Sequence, residues 1–315
     1  MYSSLLKLML FTSLGAFCCF AVAEETHADD TPSPLARLNE HLYDRETFER
    51  KVRALDKLYT TIAHMKMEEA RSLKERGDAE GVRIALGEAG RHLAEVKEAY
   101  VLGLAHFGES ALLHTFYGEL LHDHLGQEHE AVKHWEEAVR LDKAYGRAQN
   151  NLGMYYLHVG RYDEGLVCMD AALAAEPGNP DWWFDMVQVY LTNFTQIMKI
   201  RGWDRAKVYE EAMRMSERAL ALSPSDYQLL YDHALNHFLA DRFGVPPDWE
   251  RAARAWQEAV KRAHNDSQRF ECTLNEARVH LRAGNSGPAR VCLEQARALA
   301  PDSPVVRQLL NELKD

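Results

Sequence analysis

Fifteen histidines occur in this chain of 315 residues, and five of them, His114, His122, His124, His129 and His134, lie close together, a composition that raises the question of a metal. The run His129-Glu130-Ala131-Val132-Lys133-His134 is one residue longer than the His-Glu-x-x-His pattern of zinc peptidases. Ligands four residues apart on a helix face the same way, whereas ligands five apart are turned about 140° from one another, so His129 and His134 cannot close on one ion. His122 and His124, two apart, diverge as well. The sequence therefore predicts no metal site and implies no cofactor. Asp181 and Asp185 are spaced to share a helix face, and with Asp232 and Trp182 they could serve sugar binding or acid–base work if one carboxyl were held neutral. There is no Gly-rich phosphate loop, no Gly-x-Ser-x-Gly turn and no Cys-x-x-Cys pair, so no sequence motif supports catalysis and the chain reads as non-catalytic.

Charge narrows the partners. With 37 Lys and Arg against 48 Asp and Glu, a formal charge of -11 and no basic block, the chain would repel a nucleic-acid backbone, so none is an expected partner. Residues 1–23 place Lys7 before an apolar run from Leu8 to Phe20 and end in Ala21-Val22-Ala23, the layout of a secretory signal peptide cleaved after Ala23. The run is shorter than the roughly 20 residues of a membrane-crossing helix, so no integral span is expected after cleavage. Neither Cys18 nor Cys19 follows the small residue of a lipobox. Cleavage would leave Cys168, Cys272 and Cys292, an odd number that excludes a fully paired disulfide framework, while a Cys272 to Cys292 bridge stays open. An exported protein, periplasmic or secreted, is expected. Asn193-Phe194-Thr195 and Asn265-Asp266-Ser267 also fit the glycosylation acceptor pattern.

The elements that would position any site are helices. Residues 24–46 form an acidic, proline-bearing leader, and from about Phe48 to Leu313 amphipathic helical patterns follow one another with short breaks. A fixed period is clearest between Tyr145 and Pro180, in Leu152-Gly153, Tyr156, Gly160, Tyr162, Gly165, Met169, Ala172 and Pro177. The preceding unit carries Gly118, Gly126, Ala131, Trp135 and Ala138, and the last carries Ala277, Gly284, Ala289, Leu293, Ala296 and Pro301. Two units between them keep the second-helix signature but hold insertions. Small residues such as Gly118 with Ala131, Gly153 with Gly165 and Ala234 with Ala252 belong where two helices cross closely, and Trp135, Tyr156, Met169 and Trp256 are large enough to fill the space toward a neighbouring hairpin.

These spacings resemble the tetratricopeptide repeat, a 34-residue helix-turn-helix, firmly over residues 93–302 and more weakly over 47–92. The resemblance implies an all-α, right-handed superhelical solenoid: a divergent, elongated helical pair at 47–110, about five repeat units at 111–302, two of them with insertions, and a capping helix at 303–315. In such repeats the first helix of each hairpin lines a concave groove that takes an extended or helical peptide. By position the lining would be Leu112, Thr115, Phe116, Glu119 and His122, then Arg147, Asn150, Asn151, Met154 and His158. Asp181, Phe184, Asp185 and Gln188 follow, then Gln228, Tyr231, Asp232, Leu235 and Phe238, and finally Glu271, Leu274, Asn275, Arg278 and Arg282. The clamp by which chaperone-binding members hold a C-terminal carboxylate is not matched: Asn151 fits, but Thr115, Glu119, Asp181 and Asp185 replace its Lys, Asn and Arg.

The resemblance thus implies a scaffold or adaptor, placed by the signal segment in the bacterial cell envelope, that binds a protein or peptide segment, with a second copy of the chain as a further candidate partner. The alternative is an envelope carbohydrate-binding module or enzyme using the groove acids. The enlarged unit from Asp181 to Pro224 adds Phe194, Ile197, Met198, Ile200 and Trp203, which either pack onto Val208, Met213 and Met215 or leave an apolar interaction surface centred on Ile197 and Trp203.

Overall fold

Fifteen α-helices, one 3-10 segment and no strand make up the regular structure among the described residues, 34–313 of the computed structural model. The signal segment 1–23 and residues 24–33 of the leader lie outside the described residues. Among those described, no helix is long and apolar enough to cross a membrane. The chain divides between Ala175 and Glu176 into two compact units, each a stack of helical hairpins, as the all-α repeat reading expected.

The N-terminal unit holds α1 (Pro34–Asn39), α2 (Arg45–Glu75), α3 (Ala79–His106), α4 (Ala111–Asp123), α5 (Glu128–Leu141), α6 (Gly146–His158) and α7 (Tyr162–Ala175). Helices α2 and α3 pair along their length, as do α4 with α5 and α6 with α7. Local chemistry sets the breaks. Asp78 and Ser110 cap α3 and α4 by accepting from the amides of Gly81 and Leu113, and Gly160 turns the chain between α6 and α7 at a φ of 82° that a residue with a Cβ resists. The hairpins close tightly: a Cβ on Gly118 would stand 2.4 Å from the Trp135 indole nitrogen, and one on Gly153 would meet Met169 at 2.6 Å and the Gly165 carbonyl at 3.0 Å. Phe48, Val52, Val96, Tyr100, Leu113 and Leu121 form the buried centre of the unit. Part of the leader is folded: α1 touches α2 and α3, and its Leu38 is buried in the same core.

The C-terminal unit holds α8 (Pro180–Thr192), α9 (Phe194–Arg201), α10 (Arg205–Leu222), α11 (Tyr227–Asn236), a 3-10 segment (His237–Phe243), α12 (Trp249–Arg262), α13 (Asp266–Arg282), α14 (Ser286–Leu299) and α15 (Pro304–Glu312). The insertion breaks from α8 at Asn193 and forms a separate helix, α9, lying on α8 and α10. Ile197 is fully buried there, Val208, Met213 and Met215 of α10 are buried as well, and Trp203 is half-buried with its ring 6.1 Å from that of Tyr190. Phe194 packs edge-on against Phe243 at 5.2 Å. The reading of Ile197 as part of an interaction surface is therefore corrected, because a fully buried side chain has no surface to offer, while Phe194, Met198, Ile200 and Trp203 are half-buried. Helix α15 covers Leu293 and Ala296 with Val306 and Leu310. Cys168, Cys272 and Cys292 are all free thiols, so the Cys272 to Cys292 bridge left open by the sequence is not formed.

Two substitutions test the close crossings, and a third tests the insertion. Gly153→Ala should destabilise by about 1–3 kcal/mol in urea unfolding, because the Gly165 carbonyl and the Met169 backbone, as well as the Met169 side chain, crowd the new methyl. Gly87→Ala, on an exposed stretch of α3 with nothing within 4 Å of the added Cβ, should stabilise by about 0.5–1 kcal/mol. Ile197→Ala should cost about 2–5 kcal/mol, and a loss below about 0.5 kcal/mol would contradict its core position.

Candidate functional site

In the N-terminal unit the first helices of successive hairpins lie side by side, α4 touching both α2 and α6. Four residues that the repeat register assigned to this face converge. Arg147 of α6 grips Glu119 of α4 with two hydrogen bonds, Nε to Oε1 at 2.6 Å and Nη2 to Oε2 at 2.7 Å, and Asn151 Nδ2 donates to the same carboxylate at 2.7 Å. A planar guanidinium on a planar carboxylate fixes both side chains in one orientation. The Arg147 guanidinium also lies 4.4 Å from the centre of the buried Phe116 ring.

Three further members come from the long first hairpin, and the register had missed them. Arg53 of α2, exposed to solvent, places its guanidinium 4.2 Å from the Phe116 ring, so two cations share one aromatic ring. Asp56, one turn further along α2, accepts a 2.6 Å hydrogen bond from the Tyr100 hydroxyl of α3. Burial pushes the Asp56 carboxyl up to about 6, against the lowering effect of that hydrogen bond, and burial with the neighbouring Asp56 drives the Tyr100 phenol well above its usual range. The detectable signal was Arg53 and Asp56 three apart on a helix of first-helix type, but the repeat spacing is weakest in that stretch.

Other residues assigned to the face are placed differently. Asn150 and Thr115 are buried, Thr115 donating back to the Ala111 carbonyl at 2.8 Å, while Met154 is half-buried and His158 is exposed at the end of α6. Half-buried His122 stands over Trp135. The histidine geometry agrees with the helical argument: His134 turns to His114, Nδ1 to Nδ1 at 2.8 Å, while His129 is exposed. Burial, then the neighbouring His114, pushes His134 down to about 4, so this pair is neutral near pH 7.

In the C-terminal unit Asp181 is exposed and Asp185 is buried, so the two acids four apart do not face solvent together, and the Trp182 indole donates to Glu176 at 3.2 Å. Phe184 and Gln188 are half-buried. Asp232 accepts from Gln228 at 2.6 Å and burial pushes its carboxyl up to about 6. Tyr231 stands edge-on to Trp256, ring centres 5.2 Å apart, and the buried Asn275 accepts from exposed Arg278 at 2.8 Å. Arg282 lies 5.0 Å from the Phe238 ring and 5.6 Å from that of Trp249, a smaller counterpart of the arrangement around Phe116. These two faces present fixed hydrogen-bonding groups beside aromatic rings.

The buried carboxyl makes stability depend on pH in a stated direction. An unfolded Asp56 titrates near 3.8 and the folded one near 6, so between these values the folded chain keeps a proton that the unfolded chain has lost, and stability falls as pH rises through this window. Two pKa units correspond to about 3 kcal/mol. Asp56→Asn, which keeps an acceptor for Tyr100, should therefore gain about 1–3 kcal/mol over the parent chain when urea unfolding is moved from about pH 4 to about pH 7.5. An equal difference between the two proteins at both pH values would contradict the buried-carboxyl assignment.

Comparison with known proteins agrees with the repeat fold. Residues 146–179 match the family model of the tetratricopeptide repeat. No curated protein sequence matches at a significant level. Among solved structures, the C-terminal part of a TPR repeat-containing protein from Cytophaga hutchinsonii superposes with a TM-score of 0.54 at 14% identity, over 87% of this chain and 98% of that one. YrrB, described as a TPR protein with an unusual peptide-binding site, superposes with a TM-score of 0.51 at 17% identity, over 68% of this chain and 98% of its own. Residues 146–179 thus carry a tetratricopeptide repeat, and the chain has the stacked-hairpin fold of tetratricopeptide repeat structures.

Proposed function

We propose that the chain is a non-catalytic scaffold that holds a protein or peptide segment along the row of first helices α2, α4 and α6, and that it acts outside the cytoplasm after cleavage behind Ala23. The observation that carries this reading is the Arg53, Phe116, Arg147, Glu119 and Asn151 cluster, in which three first helices contribute rigidly held polar groups to one face. Preorganised donors lose little freedom when a partner arrives, which is how a modest surface gains affinity. Because Arg147 is committed to Glu119, the cluster is not built to seize a terminal carboxylate. It suits a segment running across the row, with an acidic or aromatic side chain against the exposed Arg53. The fold is one in which a neighbour, YrrB, is described as having a peptide-binding site. The compartment rests on the three-part signal segment alone.

Partners captured on the chain from an extract of its host, reduced to a minimal synthetic segment, allow calorimetric titration of variants. Arg53→Ala and His158→Ala, both exposed on this row, should weaken binding at least about tenfold without changing the unfolding midpoint, in the manner of interface hot spots. Val167→Ser, exposed on the second helix α7, should stay within about twofold. The opposite ranking would sink the assignment of this face. Recovery of the protein from its host with residues 1–23 still attached and in the cytosol would sink the export proposal.

A further inference from the structure

The last complete hairpin brings together three metal-binding side chains of different chemistry. Glu276 and His280 lie four residues apart on α13, and Cys292 comes from α14, with one donor atom of each within 4.8 Å of the others. His280 Nε2 stands 3.8 Å from Glu276 Oε1. This is the spacing that His129 and His134 lack: residues four apart share a face, and here the hairpin supplies the third donor from the opposite helix.

Their surroundings favour a cation. Glu276 is 8% exposed and Cys292 6%, positions where a repeat hairpin ordinarily keeps apolar or small residues, and a glutamate is seldom buried without a balancing charge. Gln257 Nε2, from α12, donates to Glu276 Oε1 at 2.7 Å, so the carboxylate is oriented by a neighbour in the way outer groups orient metal ligands. The His280 side chain, 16% exposed, opens the cluster to water on one side. Soft sulfur with imidazole and one carboxylate is a donor set for zinc and not for calcium or magnesium.

We propose that Glu276, His280 and Cys292 bind a zinc ion that clips α13 to α14, with water in the fourth position. Bonds of about 2.0–2.3 Å to oxygen, nitrogen and sulfur in tetrahedral array require the three donors to draw together by about 1 Å, within reach of side-chain rotation in Glu276 and His280. Zinc replaces the thiol proton of Cys292, which passes to solvent, and the thiolate and the carboxylate balance the charge of the dication.

The test uses the full chain, reduced and stripped of metal by a chelator, titrated near pH 7.5 with zinc and with cobalt as a spectroscopic substitute. One equivalent should bind, and the cobalt adduct should show a thiolate-to-metal charge-transfer band that Cys168→Ser retains and Cys292→Ser lacks. His280→Gln should weaken zinc at least about tenfold. It also decides the matter if Cys292→Ser does not fold, because His280 is not part of the fully buried core. A cobalt adduct without the thiolate band, zinc affinity unchanged in His280→Gln, or no stoichiometric uptake would each overturn the site.

Discussion

How closely two helices can approach within a hairpin is the constraint on which this structure depends. At Gly153 and Gly165 the backbones come so near that each carbonyl occupies the place where the other residue would carry a Cβ, and at Gly118 the Trp135 indole takes that space. Close crossing brings the second helix under the first. The first helices then meet their counterparts in the next hairpin, as α4 meets α2 and α6. Everything assembled around Phe116 follows from that adjacency.

The cluster on this row sets electrostatic cost against fixed geometry. Asp56 is held where burial opposes its charge, which no unconstrained carboxyl would choose, and its partner Tyr100 is fully buried. Arg147, Glu119 and Asn151 satisfy one another at 2.6–2.7 Å. Polar groups this well paired contribute little net stability, since they give up comparable bonds to water, but they give the row a single arrangement. The C-terminal unit does the same with less charge, using Arg282 between Phe238 and Trp249.

The small-and-large alternation of Gly118 with Trp135 and Gly153 with Met169 could be read directly from spacing, because each residue type answers a local steric demand. Register alone also placed Phe116, Glu119, Arg147 and Asn151 on one face. It failed where neighbours differ by a single helical step: Asn150 and Asn151 look alike in sequence, yet about 100° of rotation puts one in the core and the other on Glu119. Arg53 and Asp56 were hidden by the length of α2 and α3, 31 and 28 residues, over which the 34-residue period is lost. For Ile197 and Trp203 the composition left both core and surface open. Only the break at Asn193, which frees α9 to fold back, decides between them. Glu276 and His280 form an ordinary-looking pair until the hairpin delivers Cys292.

Hairpin stacking has no intrinsic stopping rule, since the face that accepts one unit resembles the face that unit presents in turn. Helix α15 supplies the stop. It spends Val306 and Leu310 on the last hairpin and turns Arg307, Gln308, Asn311 and Glu312 outward, where a charged and amide-bearing edge gives a following hairpin nothing apolar to bury. Arg290 ties the far end of this helix by donating to the Leu313 carbonyl at 2.7 Å. Without it, the apolar edge of α13 and α14 would be a heterologous contact that never closes, the geometry from which filaments grow. A segment of nine helical residues thereby covers the apolar edge that α13 and α14 leave.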